Sequence, residues 1–581
     1  MILNYIDWSI IIVYFIFSLI IGLYFSKRAS KSINEYFLSG RSIPWWLAGT
    51  SMVATTFAAD TPLAVTGMVS KHGVAGNWLW WNFAMSGILT VFFFAPLWRR
   101  AGVMTDVEFA EIRYSGKPAS FLRAFRALYL AIPINCIIMG WVTLGMAKVM
   151  ELTLGIKKWE AVFICFGVTV IYSIISGLWG VLVTDFFQFI IAMGGSIVLA
   201  VFSLKAVGGI EGIVKHSEAL PVRGSPLSFI PDVGSAWMPL ITFFVYVGMI
   251  WWSSWYPGAE PGGGGYVAQR IFSTKNETHS ILATFWFNIA HYALRPWPWI
   301  LVALSSMIVF PNLSDPETGY VRMIKDYLPN PFRGLILAGF AAAYMSTIAT
   351  HLNWGASYVV NDFYKRFIKK SESEKHYVFI SRAATIFIML LSGVVTYFMG
   401  SIEHAWKLLI SIGAGAGLVL LLRWYWWRIN AWSEISAMAA SLIISLILQV
   451  GFKLDSNNPI DFAKIMLITV SGSILMWLSV TYLTKPEPEQ KLIEFYNKVR
   501  PGKLFWKPVA ENFMEMESKN NLLINLFCWV LGSISIYLSL FGIGKLIFGS
   551  YLKGIIYLAL SLTSIFIILF QIKRNKLRLT N

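Results

Sequence analysis

Residues 47–67 read LAGTSMVATTFAADTPLAVTG, part of a segment (46–69) long and apolar enough to cross a bilayer. Asp60 and Pro62 stand where a plain anchor would carry leucine. From Ala54 to Pro62, the β-branched Thr55, Thr56 and Thr61, the small Ala58 and Ala59, and a proline with no N–H all weaken a helix. Unwound backbone at membrane depth is tolerated only where it is buried in protein or lines a wet cavity. The freed carbonyls are therefore candidate ligands for a cation or solute, the alternative being a proline kink in a structural span.

The rest of the chain agrees with a membrane setting. Of 581 residues, 57% are hydrophobic, 16% aromatic and only 13% charged, which places the chain among polytopic membrane proteins and excludes a soluble globular class. The formal net charge of +17 sits in short loops beside apolar spans, the positive-inside pattern, so no nucleic-acid partner is expected. Cys136, Cys165 and Cys528 lie in apolar segments without metal spacing and give no disulfide framework. The first apolar span lacks the basic flank and cleavage site of a signal peptide and reads as a retained helix.

At about 20 apolar residues per crossing, spans fall near 7–26, 46–69, 76–98, 122–150, 158–178, 181–205, 236–257, 278–310, 334–360, 377–400, 404–427, 431–452, 462–484, 522–548 and 551–573, about fifteen in all. The basic clusters after the first, third and ninth spans, together with Arg423, Arg428, Lys491 to Lys507 and the tail Lys573 to Arg578, then share one face. That face is expected in the cytoplasm, with the N-terminus outside and the C-terminus inside. The second to sixth and seventh to eleventh spans make two groups of five, and an odd number inverts one group against the other, as in many secondary transporters. The expected division is 1–45 for an extra helix and loop, 46–205 and 236–428 for the two repeats, 429–484 for two added helices, 485–521 for a polar connector, and 522–581 for a terminal helix pair and basic tail. The connector reads as an amphipathic helix near the membrane or as a solvated linker.

Three blocks carry a resemblance: NEYFLSGRSIPWWLAGTSMVATTFAADTPLAVTG at 34–67, GVLVTDFFQF at 180–189, and GFAAAYMSTIATHLNWGASYVVNDFYK at 339–365. In that order and on those spans they resemble the sodium:solute symporter family, relatives of the sodium/glucose and sodium/proline cotransporters. LLRWYWWRINAWSEISAM at 421–438 and KLIEFYNKVRPG at 491–502 are similar to a bacterial branch of undefined substrate. The resemblance implies an all-α polytopic fold of the leucine-transporter type, with five plus five inverted helices, one extra helix before them and about four after.

Sodium is a hard cation and takes oxygen ligands. Ser346 and Thr347 are adjacent on the ninth span, one turn after Ala343, so two hydroxyls and a carbonyl can converge. By resemblance the shared sodium site uses Ala54 and Phe57 of the broken helix with Ala343, Ser346 and Thr347; the alternative is back-bonding of both hydroxyls to their own turn. Asp185, one turn before Gln188 at the basic-face start of the sixth span, either serves a second ion site or exit path with Ser346 and Thr350, or caps its own helix. Ala349 replaces a family hydroxyl at that second site. Asp60 and Arg295 are charges inside spans, which are costly and mark function. With Thr56 and Thr61 they are candidate substrate contacts, joined by Trp252, Trp255, Tyr256 and Glu260 where the seventh span ends in SSWYPGAEPGGGG. Gln269 and Arg270 match the family's pair at the basic-face end of that span. Trp78, Trp80 and Trp81 read as an interfacial belt, and GAGAG at 413–417 as close helix packing, with a hinge as the alternative.

These readings converge on a sodium-coupled symporter, not an enzyme, taking up a small polar solute, sugar or sugar-like, by alternating access. A monomer in the cell (inner) membrane is expected, with sodium its coupling ion and the lipid bilayer its surroundings. An amino-acid or other zwitterion symporter is the alternative, and a membrane sensor of the same fold is the alternative outside transport.

Overall fold

The computed structural model describes residues 3–220, 222, 225–510 and 521–580. Among these the chain is helical, with two isolated β-bridges and no strand. Eleven helices are long and apolar enough to cross a membrane, and Trp45–Thr56 with Thr61–His72 forms a further, broken crossing bent by 58°. The remaining expected crossings are interrupted. Lys158–Ala206 is one helix broken at Gly177, whose φ of 56° suits glycine and whose Cβ position lies 2.6 Å from the Ala29 methyl. That break separates the fifth and sixth spans.

The seventh span departs from its expected bounds. Leu240–Gly248 and Ile250–Ser253 are followed by irregular backbone to Gly264, and helix resumes over Gly265–Ser273. Residues 258–273 therefore belong to the span, beyond the bound of 257 set by hydropathy; the glycines that open the helix hide this from a hydropathy count. The eleventh span breaks likewise between Ile402–Ile412 and Gly417–Tyr425. The two breaks are strapped by backbone: Trp255 N–H donates to Gly413 O at 3.0 Å and Gly415 N–H to Ser253 O at 2.9 Å. A Cβ on Gly413 or Gly417 would stand 2.3 and 2.2 Å from the carbonyl oxygens of Trp255 and Trp252. The GAGAG run is thus a point of close approach and also a helix break.

The ninth span, Phe332–Ser357, is the hub. Its apolar window is 94% buried, against 17% for the first and the last spans. Around it pack the first, the sixth and the broken second span.

Two expectations change here. Trp78, Trp80 and Trp81 do not form an interfacial belt; all three are buried, Trp78 and Trp81 under Leu522–Ile547 and Trp80 against His291 and Tyr292 in the cavity wall. Tyr537 donates to Trp81 O at 3.0 Å and stacks on Trp78, while Trp529 donates to Met85 O at 2.9 Å. Tyr537→Phe is expected to cost about 1 kcal/mol, one net hydrogen bond, read as a small fall in Tm of the detergent-solubilised protein.

The connector is not laid on the bilayer as an amphipathic surface helix. Glu489–Val499 buries Leu492, Phe495, Tyr496 and Val499 against the protein itself. Phe495 meets Phe109 at 5.6 Å and Trp506 at 5.6 Å, and Trp506 Nε1 donates to Trp424 O at 3.0 Å. Arg113, fully buried, lies over Phe495 and Trp506 and donates to the carbonyls of Arg423, Trp426 and Trp427. Residues 511–520 of this segment lie outside the described residues. Nearby, Glu111 is partly buried, which alone would raise its pKa, but hydrogen bonds from Arg366, Arg123 and Ser120 hold it at about 2. Its stabilising contribution is present above the ordinary glutamate range and is lost only as pH falls toward that value.

Candidate functional site

The second span stops where its sequence weakens. Thr56 Oγ1 back-bonds to the Val53 and Met52 carbonyls, Phe57 leaves helical geometry (φ −88°, ψ 58°), and helix restarts at Thr61–Pro62, where the missing proline N–H costs nothing. The gap from Phe57 to Asp60 is held by the fourth span. A Cβ on Gly145 would stand 2.7 Å from Asp60 Cα and 2.9 Å from its nitrogen. Gly145→Ala is therefore expected to displace the break, costing about 1–3 kcal/mol in stability and depressing transport, read by thermal unfolding and by uptake.

Beside the break lies a cavity of about 80 Å³. Thr56, Asp60, Thr61, Tyr256 and Arg295 line it, as five of the candidate residues. Asp60 is 1% exposed, and its Oδ1 has no hydrogen-bond partner. Trp406 Nε1, in the same wall, lies beside the Asp60 carboxylate without a hydrogen bond of regular geometry. Arg295 donates to Thr56 Oγ1 at 3.0 Å and to the His291 carbonyl at 3.2 Å, and its guanidinium lies over the Trp80 and Trp299 rings. No carboxylate within 4.0 Å pairs with it among the described residues. The cavity thus holds two buried opposite charges not paired with each other, an arrangement that is costly unless something else completes it. Aromatic rings form the rest of the wall, with Phe83 stacked on Tyr256 at 5.3 Å and Trp141 parallel to Tyr256 at 6.5 Å.

Three candidates lie elsewhere. Trp252 is partly exposed and donates to Gly248 O. Trp255 faces a separate groove on the far side of the break. Glu260 is buried behind the break, accepting from Gly258 N–H, with Oε1 against Gly265. Irregular backbone has no fixed periodicity, so spacing gave no guide to which of these side chains would face inward. Residues that sequence reasoning missed as site members are Trp80, Trp141, His291, His351 and Trp406. His291 was legible, being four residues before Arg295 on the same helical face; it meets Thr56 Oγ1 at 2.8 Å.

Next to the cavity the ninth span meets the broken one. Thr347 Oγ1 donates at 2.7 Å to Thr55 O and lies 3.0 Å from Ala343 O, so its lone pairs remain free to face a cation. Ser346 donates to Asp185 Oδ1 at 2.7 Å and Ser51 to Oδ2 at 2.5 Å. Ala54 O accepts from the Phe57 amide, and the Phe57 ring packs on Trp299. The Thr347 hydroxyl, the Ala343 carbonyl and the Thr55 end of the broken helix thus come together in the buried interior, while the Ser346 hydroxyl is turned to Asp185.

Asp185 does not cap its own helix. It lies two turns past Gly177, fully buried, and takes its hydrogen bonds from the second and ninth spans. Arg270 stands 3.8 Å away, donating to Thr350 Oγ1 at 2.7 Å and Ser51 Oγ at 3.2 Å. Gln269 donates to Asn353 Oδ1 and Phe37 O. The Gln–Arg pair is therefore part of the buried core. The Arg270 guanidinium brings a positive charge between Asp185 and Thr350, where a second ion site was one of the readings.

Comparison with known proteins places this geometry. The profile described as "Sodium:solute symporter family" matches residues 36–443. The chain is 24% identical over 550 residues to solute carrier family 5 member 4B of Mus musculus, covering 84% of this chain and 81% of that protein. It is 25% identical over 476 residues to the sodium/glucose cotransporter of Vibrio parahaemolyticus, covering 77% and 86% respectively. Among solved structures, a substrate-bound, outward-open Na+-coupled sialic acid symporter superposes with a TM-score of 0.69 at 21% identity, covering 84% of this chain and 99% of that one. That likeness establishes the fold, a multi-pass helical transporter architecture with paired five-helix repeats.

Proposed function

Because the chain belongs to the sodium:solute symporter family, we propose that it couples inward sodium movement to uptake of a small polyhydroxylated, sugar-like solute. The observation that carries the reading is Asp60: a buried carboxylate with one oxygen unpartnered, in an aromatic-walled cavity at the helix break. A sugar supplies hydroxyl donors to Asp60 and acceptors to Trp406 Nε1 and Arg295, and an apolar ring face to the aromatic rings. Relatives named sodium/glucose cotransporter support the same class. Thr347, Ser346, Ala343, Ala54 and Phe57 are proposed to hold the coupling ion, and Asp185 with Arg270 to mark its exit path. Membrane potential supplies about 2.3 kcal/mol per charge per 100 mV, enough for about 50-fold accumulation per ion at 100 mV before the concentration gradient is added. We place the basic face in the cytoplasm of a cell whose inner membrane holds the protein as a monomer.

A zwitterionic solute is the second reading, favoured by the unpaired Asp60 and Arg295 facing one cavity. Reconstituted vesicles decide between them. An inward sodium gradient is expected to drive concentrative uptake of a monosaccharide from a mixed panel, and choline in place of sodium to abolish it. Uptake confined to amino acids would establish the second reading, and solute binding with no flux would overturn transport.

A further inference from the structure

On the opposite side of the seventh-span break lies a groove of about 280 Å³, near the lower end of ligand-sized cavities at roughly 300 Å³. We infer that it seats an acyl chain of a phospholipid from the leaflet bordering the Lys/Arg-rich loops. Its walls come from Gly116–Tyr129, the eleventh span and Ala431–Leu446, and its lining is apolar apart from Ser441 and Arg126. The rim carries Phe121, Phe125 and Ile443, which are 55%, 39% and 55% exposed on membrane-spanning helices, so the opening gives onto hydrocarbon and not onto water. Phe121, Phe125 and Tyr129 stack in a ladder, at 6.1 and 5.4 Å, along one edge. What can enter from that direction is a lipid tail.

Two further observations fit a phospholipid. Arg126 lines the groove, is 3% exposed, and while its terminal nitrogen bonds Glu434 at 2.9 Å, its Nε has no acceptor. An ester carbonyl at the head of an acyl chain supplies one. The floor is Trp255, Gly413 and Ala416, the rear of the backbone strap between the two broken spans. Exposed non-helical backbone at this depth is tolerated only when sealed. An acyl chain lying over the strap excludes water from the Trp255–Gly413 bond, directly behind Tyr256 of the solute cavity. Because lipid tails are as apolar as the groove, the gain is packing, not hydrophobic transfer, and the site selects by shape.

The test uses the full-length protein in phosphatidylethanolamine–phosphatidylglycerol vesicles doped with a phosphatidylglycerol bearing a diazirine in its acyl chain. After irradiation, crosslinked peptides are mapped by mass spectrometry. Several-fold greater labelling is expected at 121–134 and 435–443 than on the exposed face of Glu374–Phe398, which meets lipid without a groove. Ala439→Trp, or Leu442→Trp should the first not accumulate, fills the groove and should lower its labelling to that of the exposed face, leaving the latter unchanged. Equal labelling of groove and face in the wild type, or groove labelling indifferent to either variant, overturns the inference. The readout needs no transport activity, so it stands apart from the proposed substrate.

Discussion

Asp60→Asn is expected to raise the KM for the transported solute by roughly 10- to 100-fold while leaving the protein at least as stable as the wild type. A hydrogen bond to a charged group contributes about 1.5–3 kcal/mol, which converts to roughly 10- to 150-fold in affinity. In the free protein the carboxylate is buried with Oδ1 unpartnered, so replacing it with an amide of the same shape removes a desolvation cost and no described bond of that atom. A structural role predicts the reverse, lower Tm with unchanged KM. Solute-concentration series in vesicles, alongside thermal unfolding in detergent, separate the two. Arg295→Met is a poor substitute for this test, because Arg295 also holds Thr56 and the His291 carbonyl.

Thr347→Val is expected to raise the sodium concentration for half-maximal uptake by about 10- to 100-fold, on the same scale of charged hydrogen-bonding energy. Valine keeps the β-branched shape and loses only the hydroxyl that bridges Thr55 O and Ala343 O, a stability loss of about 1 kcal/mol. Thr347→Ser keeps the oxygen and should stay within a few-fold of wild type. If the hydroxyl serves only to tie the two helices through Thr55 O and Ala343 O, both variants will show unaltered sodium dependence, and the proposed ion site will be wrong. Sodium titrations of solute uptake at fixed membrane potential give the answer.

The break at Phe57–Asp60 and the Thr347 hydroxyl facing it were legible because each rests on local chemistry: a proline with no N–H, threonines that back-bond, and a threonine one turn after Ala343. The apolar windows gave the crossings for the same reason. What composition concealed was the second half of the seventh span, where Gly262 to Gly265 unwind a helix that hydropathy reads as ended at 257, short of Gln269 and Arg270. The indoles at Trp78, Trp80 and Trp81 looked interfacial because nothing local announces that Leu522–Ile547 will lie over Trp78 and Trp81 or that Trp80 will pack in the cavity wall. Trp255 and Glu260 share a short stretch with Tyr256 but not its direction, which the strap to Gly413 fixes and no periodicity encodes. The partner of the amphipathic Glu489–Val499 was invisible for a related reason: a half-apolar helix fits a bilayer surface and a protein surface equally well, and only the aromatic bed of Trp98, Phe109 and Trp424 decides between them.

That bed also sets an order of assembly. Phe495 and Trp506 dock on side chains contributed by residues 98–113 and by Trp424, so on the ribosome their seat exists only after eleven spans have been threaded and folded against one another. A nascent chain stalled after Trp424 but before the connector would present Trp424 and Phe109 without the cover of Phe495 and Trp506, and docking of the connector precedes emergence of the last helix pair.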